Sequence, residues 1–244
     1  MTTTWSLVEG VTEVPPEEWD ALVDANDPFV EHAFLATLER SGSVGARAGW
    51  QPRFVLARQA GKLVGATPLY LKDNSYGEFI FDWAWASGAM RAGIPYYPKL
   101  VAAVPFTPVT GARLLVHPDA DATTVRAALL EGIEATAEQT GASSVHFLFC
   151  PEQESAFLAG NGYRARLSMQ FQWTNRTPPY ADFDDFLGAF RSRHRKQVRK
   201  ERVTAAAHGL RLATVEGGAL GPREWQALAH FYQANTSKHH ACNS

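Results

Sequence analysis

The chain has 244 residues, 45% of them hydrophobic and 20% charged, with 23 Lys plus Arg against 25 Asp plus Glu for a formal net charge of −2. This composition excludes disordered, collagen-like and coiled-coil chains, and at roughly 150 residues per domain the length corresponds to about 1.6 domains. The neutral total hides a segregated distribution, because Arg191 to Arg202 holds seven basic residues and one acidic, which leaves a net of −8 on the rest.

Residues 5–11 read as a short strand, after which Pro15 and Pro16 open a helix with Glu17 and Glu18 at its positive end. Trp19, Leu22 and Val23 form its inner face. A second helix is expected from about Pro28 to Arg40, with Phe29, Phe34, Leu35 and Leu38 inward, stopped by Ser41, Gly42 and Ser43. Arg53 to Arg58 and Lys62 to Leu71, joined at Ala60 and Gly61, read as a β-hairpin. Residues 76–85 alternate with period two, which predicts a strand. Phe79, Phe81, Trp83 and Trp85 would then face the core, with Tyr76, Glu78, Ile80 and Asp82 on the other side.

Further along, residues 101–116 are extended, and Asp119 to Thr140 is helical, with Val125, Leu129, Ile133 and Ala137 at four-residue steps and Gly141 as its stop. A strand at Val145 to Phe149, a short helix near Glu152 to Ala159 and a last strand near Leu167 to Thr174 complete an α/β unit ending near Pro178. From Asp182 to about His208 a helix follows, with Phe183, Phe186, Leu187, Phe190, His194 and Val198 in one stripe and the cations around the rest. An internal repeat then stands out. PEEWDAL at 16–22 recurs as PREWQAL at 222–228, and Val8, Glu9, Gly10 recur as Val215, Glu216, Gly217. Either a domain is duplicated and its second copy is cut after one strand and one helix, or the shared string is a common way to begin a helix.

The strings SYGEFIFDWAWA, YYPKL and VPFTPVTGARLL, with HAFLATLERSGSVG and GWQP before them, resemble the FemAB-like family, within the GNAT acyltransferase superfamily, over most of residues 26–200. The resemblance implies a GNAT-like mixed β-sheet flanked by helices at 1–178, a basic connecting helix at 179–208, and the start of a truncated second GNAT-like domain at 209–244. It also implies acyl or aminoacyl transfer to, or recognition of, a peptidoglycan precursor or another small amine acceptor. For the complete protein, aminoacyl-tRNA or acyl-CoA would be the donor, with tRNA as a further partner. The cut second domain leads us to expect a chain inactive by itself. Acyl-CoA-dependent N-acetyl transfer and a non-catalytic precursor- or RNA-binding module stay open as alternatives.

Glu78 and Asp82 sit on one face of the expected strand, roughly 13 Å apart at strand rise. Buried carboxylates must be paired or open to a cleft, and Lys99, Arg113 and Arg91 are the nearest partners. Tyr76, Glu78, Asp82, Tyr97, Lys99, Thr107 and Arg113 are the candidate substrate-binding residues. Arg195, Lys196, Arg199 and Lys200 are candidates for phosphate capture. A CoA site needs a Gly-rich turn at a helix N-terminus, but the junction here reads LLVHPDADATT, so no cofactor is expected on this chain. No catalytic triad is readable, and no metal is expected because His and Cys lack ligand spacing. Cys150 and Cys242 form no redox pair, the N-terminus lacks a secretory pattern, and no apolar run is long enough to span a membrane. A reduced, cytoplasmic location is expected.

Overall fold

Residues 2–167, 169, 171–209 and 211–240 are described by the computed structural model, residues 239 and 240 by their backbone alone. Ser168 and Gln170, inside the last expected strand, and the tail residues 241–244 lie outside them. The chain divides into two units, residues 1–169 and 170–244.

The first unit is a mixed α/β layer structure. Strand β1 (Thr3–Val8) leads to the short helix α1 (Pro16–Asp20) and then to α2 (His32–Arg40), which follows a 3-10 turn at Pro28–Val30. Next come β2 (Gln51–Pro52), β3 (Phe54–Gln59), β4 (Lys62–Thr67) and β5 (Leu69–Lys72). The hairpin between β3 and β4 turns at Ala60 and Gly61, both with positive φ, as the Gly-containing turn led us to expect. Helix α3 (Trp83–Arg91), β6 (Lys99–Ala102), β7 (Leu115–Val116), α4 (Ala122–Thr140), β8 (Val145–Phe147) and α5 (Glu152–Gly160) complete the unit.

Two four-stranded sheets result, ordered β1-β3-β4-β7 and β2-β5-β6-β8. All pairs are antiparallel except β6 with β8. One hairpin serves both sheets. Pro68 separates β4 from β5, and a residue without an N–H interrupts the ladder where the chain passes from one sheet to the other. Alternation along β3 then fixes the layers. Phe54 and Leu56 join Trp19, Leu35, Trp50 and Tyr70 on the α1/α2 side, whereas Val55 and Ala57 join Leu100, Leu129 and Ile133 on the α4 side. Helix α4 matches its periodicity, with Val125, Leu129 and Ile133 fully buried and Gly141 closing it in the left-handed region.

Several expected elements do not form. Residues 76–82 are loop and turn, and 83–91 are helical. Described residues near 167–174 and 211–216 are not strands either. An extended segment needs a neighbour to satisfy its backbone groups, and among the described residues the second unit has no strand to pair with. Its elements are α6 (Phe183–Gly188), α7 (Ser192–Ala207) and α8 (Pro222–His240). The single expected helix from 182 to 208 is thus two, broken after Gly188 where Arg191 is extended. The aromatic stripe gathers on Phe186, which meets Trp173, Tyr180, Phe183 and Phe190 ring to ring. Both copies of the repeated string open helices at their proline, but Trp19 is buried and Trp225 is exposed.

Candidate functional site

The period-two signal of residues 76–85 is real, but its faces are inverted. Glu78 and Asp82 point inward at 2% and 0% exposure, and Ile80 packs on the core between them. Phe79, Phe81, Trp83 and Trp85 are exposed, and α3 has no buried residue. The expected core role of these four aromatics is therefore overturned. The inversion is built without strand pairing, because Phe79 and Phe81 take φ of 59° and 49°. Left-handed backbone at a bulky residue costs about 1–2 kcal/mol, so something must hold it.

That hold is a buried ionic cluster. Lys72 ends β5 and Lys99 begins β6, directly opposite each other in the sheet register. The Lys99 ammonium donates to Ser75 Oγ at 2.8 Å, to Glu78 Oε2 at 2.8 Å and to Asp82 Oδ2 at 2.7 Å. The two carboxylates are thus brought onto one cation rather than spaced along a strand. Lys72 Nζ lies 3.6 Å from the centre of the Trp50 ring and donates to the carbonyls of Gly49 and Tyr76. It also approaches Glu78 Oε1 at 3.8 Å. Trp50 Nε1 donates to the Tyr76 carbonyl as well. At the adjacent turn Gly77 has φ +78°, and a Cβ there would fall 2.6 Å from the Phe106 ring.

Burial sets the proton affinities in this cluster. It pulls Lys72 down to about 8 against the attraction of Glu78, and it raises Glu78 against its hydrogen bond from Lys99. For Asp82 burial also favours the neutral acid, but hydrogen bonds from Lys99, Ser75 and Tyr96 outweigh it and its carboxyl is held low. Asp82 is the N-cap of α3 yet accepts no backbone N–H through its side chain, since the carboxylate is committed to Lys99 and to the Tyr96 hydroxyl at 2.7 Å. Glu78 Oε1 and Asp82 Oδ1 have no hydrogen-bond partner among the described residues.

On the open side the cluster reaches the edge strand β8. Ser75 Oγ and the Tyr97 hydroxyl are 2.8 Å apart. The half-buried His146 lies beside Tyr96, with Ser144 Oγ 2.8 Å from its Nε2. Burial, reinforced by Lys99, lowers His146 to about 4, so the imidazole is neutral at pH 7.

Of the residues named from the sequence, Glu78, Asp82, Tyr97 and Lys99 come together, and Tyr76 joins through its carbonyl while its ring lies tilted against that of Trp83 in the open. Thr107 is elsewhere, bonded to the Pro105 carbonyl. Arg113 does not partner the carboxylates. Its guanidinium is buried against the carbonyls of Val109, Ala112 and Leu148, and its backbone N–H, like that of Leu114, donates to the buried Glu154. Arg91 is exposed on α3. Lys72, Ser75, Tyr96, Ser144 and His146 were missed. The available signal was a pair of lone lysines at the ends of apolar strands.

On α7, Arg195, Lys196 and Lys200 are half-buried or exposed, whereas Arg199 reaches Asp184 at 3.4 Å and Arg202 lies over the Phe183 ring. At the N-terminus of α4, the Asp121 side chain itself accepts from Thr124 N. No metal-binding group of His, Cys, Asp and Glu occurs among the described residues, and none of their helices is long and apolar enough to cross a membrane.

Several solved structures are similar to this chain at low identity. A ribosomal-protein-alanine N-acetyltransferase from Brucella melitensis biovar Abortus 2308 gives a TM-score of 0.42 at 15% identity, covering 71% of this chain and 99% of its own. An acetyltransferase from Trypanosoma brucei gives 0.40 at 16%, covering 71% and 100%. A GNAT-family acetyltransferase from Streptococcus pneumoniae TIGR4 gives 0.37 at 15%, covering 72% and 99%. Among curated proteins none matches. The FemAB-like family model, described as peptidoglycan biosynthesis/recognition, matches residues 10–243, nearly the whole chain, and the protein belongs to that family.

Proposed function

We propose that the protein transfers an acyl or aminoacyl group to an amine of a peptidoglycan precursor, and that the acceptor amine is received at the open side of the cluster, by Ser144 and His146 beside Tyr96 and Tyr97. Amide formation joins the amine nitrogen to the acyl carbon, breaks that carbon's bond to its carrier, and requires the amine to shed a proton while the carrier takes one up. The observation that carries this reading is the neutral imidazole at a half-open polar edge, hydrogen-bonded to a serine hydroxyl. Neutral at pH 7, it offers the amine a hydrogen-bond acceptor, directly or through the Ser144 hydroxyl, while the low proton affinity that keeps it neutral makes it a weak base. The buried lysines and carboxylates beneath hold the wall in place.

In the second unit, taken by itself, Arg195, Lys196, Arg199 and Lys200 of α7 are our candidates for capturing a phosphate-bearing ligand, of which Arg199 must first leave Asp184. A donor other than CoA fits the first unit better. The N-terminus of α4, where a pyrophosphate would gain from the helix dipole, already holds the Asp121 carboxylate.

Incubation of the chain with a nucleotide-linked muramyl pentapeptide and either aminoacyl-tRNA or acyl-CoA, read by mass spectrometry, tests this directly, since the added mass names the donor, and any product would overturn the expectation from the sequence that the chain is inactive by itself. His146→Asn should lower the rate by about 10²–10⁴-fold. An unchanged rate would remove His146 from the reaction. Calorimetric binding of the pentapeptide without product from either donor would favour the recognition module, and absence of both would defeat the proposal. Charge reversal at Arg195, Lys196, Arg199 and Lys200 should weaken pentapeptide binding and flatten its salt dependence.

A further inference from the structure

Between β5 and β6 the chain makes an excursion from residue 73 to 98 that projects apolar side chains outward. Phe81, Trp85, Met90 and Ile94 are 74%, 63%, 79% and 60% exposed, and Phe79 and Trp83 accompany them. Isolated exposed apolar residues are ordinary, but so many within one short segment mark a surface made to meet something apolar. We propose that this loop docks onto the interface of an anionic lipid bilayer.

The charges decide between occupants. From residue 74 to 98 the chain carries two acids, Glu78 and Asp82, and both are turned inward onto Lys99. The outward charge in that stretch is the cation Arg91, and Arg166 lies 5.3 Å from the centre of the Trp85 ring. The nearest outward acid, Asp73, is at the foot of the loop beside its sheet. A sugar would need acceptors such as Asp, Glu, Asn or Gln at the edges of the aromatic rings, but Glu78 and Asp82 are turned inward, and Asp73 and Asn74 stay at the foot of the loop, bonded to each other. An anionic bilayer asks for Trp, Phe and Met at the headgroup boundary, with cations beside them and no acids. The left-handed turns at Phe79 and Phe81 achieve that separation, aiming rings out and carboxylates in.

This proposal does not depend on any transfer reaction, and its test uses none. The full chain is sedimented with vesicles of phosphatidylglycerol and phosphatidylethanolamine and, separately, with pure phosphatidylcholine. Binding is expected to the first and to be weaker on the second. Trp85→Glu or Phe81→Glu should reduce it at least about tenfold, the factor set by burying one large aromatic side chain, and Arg91→Glu about fivefold or more. All three substituted positions are exposed, and unchanged urea midpoints would show that the variants remain folded. Lipids brominated near the headgroup should quench tryptophan fluorescence in the wild type. In Trp83→Phe/Trp85→Phe, which keeps aromatic rings at the surface, that quenching should be lost while binding persists.

Four results would each overturn the proposal: no vesicle binding; binding insensitive to Trp85→Glu; quenching that survives the double phenylalanine variant; or a lipid-free dimer that Trp85→Glu dissociates, which would make a second copy the occupant.

Discussion

Replacing Lys99 with methionine should be among the most damaging single changes in the first unit. Methionine is unbranched and only one atom shorter, so no large cavity forms, but three hydrogen bonds from one buried ammonium are lost. Two carboxylates that already have one unpartnered oxygen each are left with Lys72 as the neighbouring cation, which approaches Glu78 at 3.8 Å, and with the Tyr96 hydroxyl on Asp82. Removing one partner of a buried ion pair costs about 3–5 kcal/mol. Proton uptake limits that loss. Glu78 has a carboxyl raised by burial, and without Lys99 it would bind a proton, a step that becomes easier by about 1.4 kcal/mol for each pH unit of acidification. Urea unfolding of Lys99→Met should therefore show a loss of about 3–5 kcal/mol at pH 7 that shrinks toward pH 5, and adding Glu78→Gln and Asp82→Asn should recover part of it at pH 7. A loss below about 1 kcal/mol, independent of pH and unaffected by those two changes, would refute the view that this cluster holds the aromatic loop.

Three further outcomes follow from neighbouring contacts. His146 is lowered to about 4 in the fold from its usual 6.5, so the unfolded chain takes up the proton first. Its stabilisation is complete above pH 6.5 and is lost as the pH falls toward 4, by up to about 3 kcal/mol; His146→Asn should flatten that part of a stability profile measured by urea titration. Gly77→Ala should cost at least about 1–2 kcal/mol, because alanine resists φ +78° and its Cβ would press on Phe106; the emission of Trp50, whose ring lies 5.6 Å from that of Phe106, should shift with it. Glu154→Ala leaves the buried N–H groups of Arg113 and Leu114 without their acceptor, and at about 1–3 kcal/mol for each unsatisfied group the thermal midpoint should fall by several degrees in a calorimetric scan.

The hairpin, helix α4 and the burial of Trp19 and Leu35 were readable because each rests on a local signal: a Gly turn, a four-residue repeat, an apolar face. The stretch 76–85 misled for a physical reason. Alternation states that two faces differ, but not which one is inside, and hydrophobicity normally settles that question. Here two lysines arriving from β5 and β6 supply a better partner for Glu78 and Asp82 than water does, so the aromatic face is the one left outside. Nothing local to SYGEFIFDWAWA announces that, since Lys72 precedes it and Lys99 follows it. The pairing of those carboxylates with Lys99 was legible, whereas Arg113 was misassigned because its carbonyl partners lie up to 35 residues away and have no side-chain signature. His146 escaped for a similar reason: its significance comes from β8 lying parallel to β6, a contact between strands separated by a whole helix.

The hairpin that crosses from one sheet to the other at Pro68 gives the site a dependence on a distant turn. The register of β4 on β3 is set at Ala60–Gly61 and by the irregularity between Ala57 and Arg58, and the same strand continues through Pro68 into β5. A slip of one residue at that turn would exchange inward for outward positions along the whole strand. Leu71 would then occupy the place of Lys72, and a hydrocarbon would face Glu78. Insertions at the turn are thus the kind of change to which the ionic cluster is sensitive without being touched, and the bulge acts as the index mark that keeps the lysine in phase.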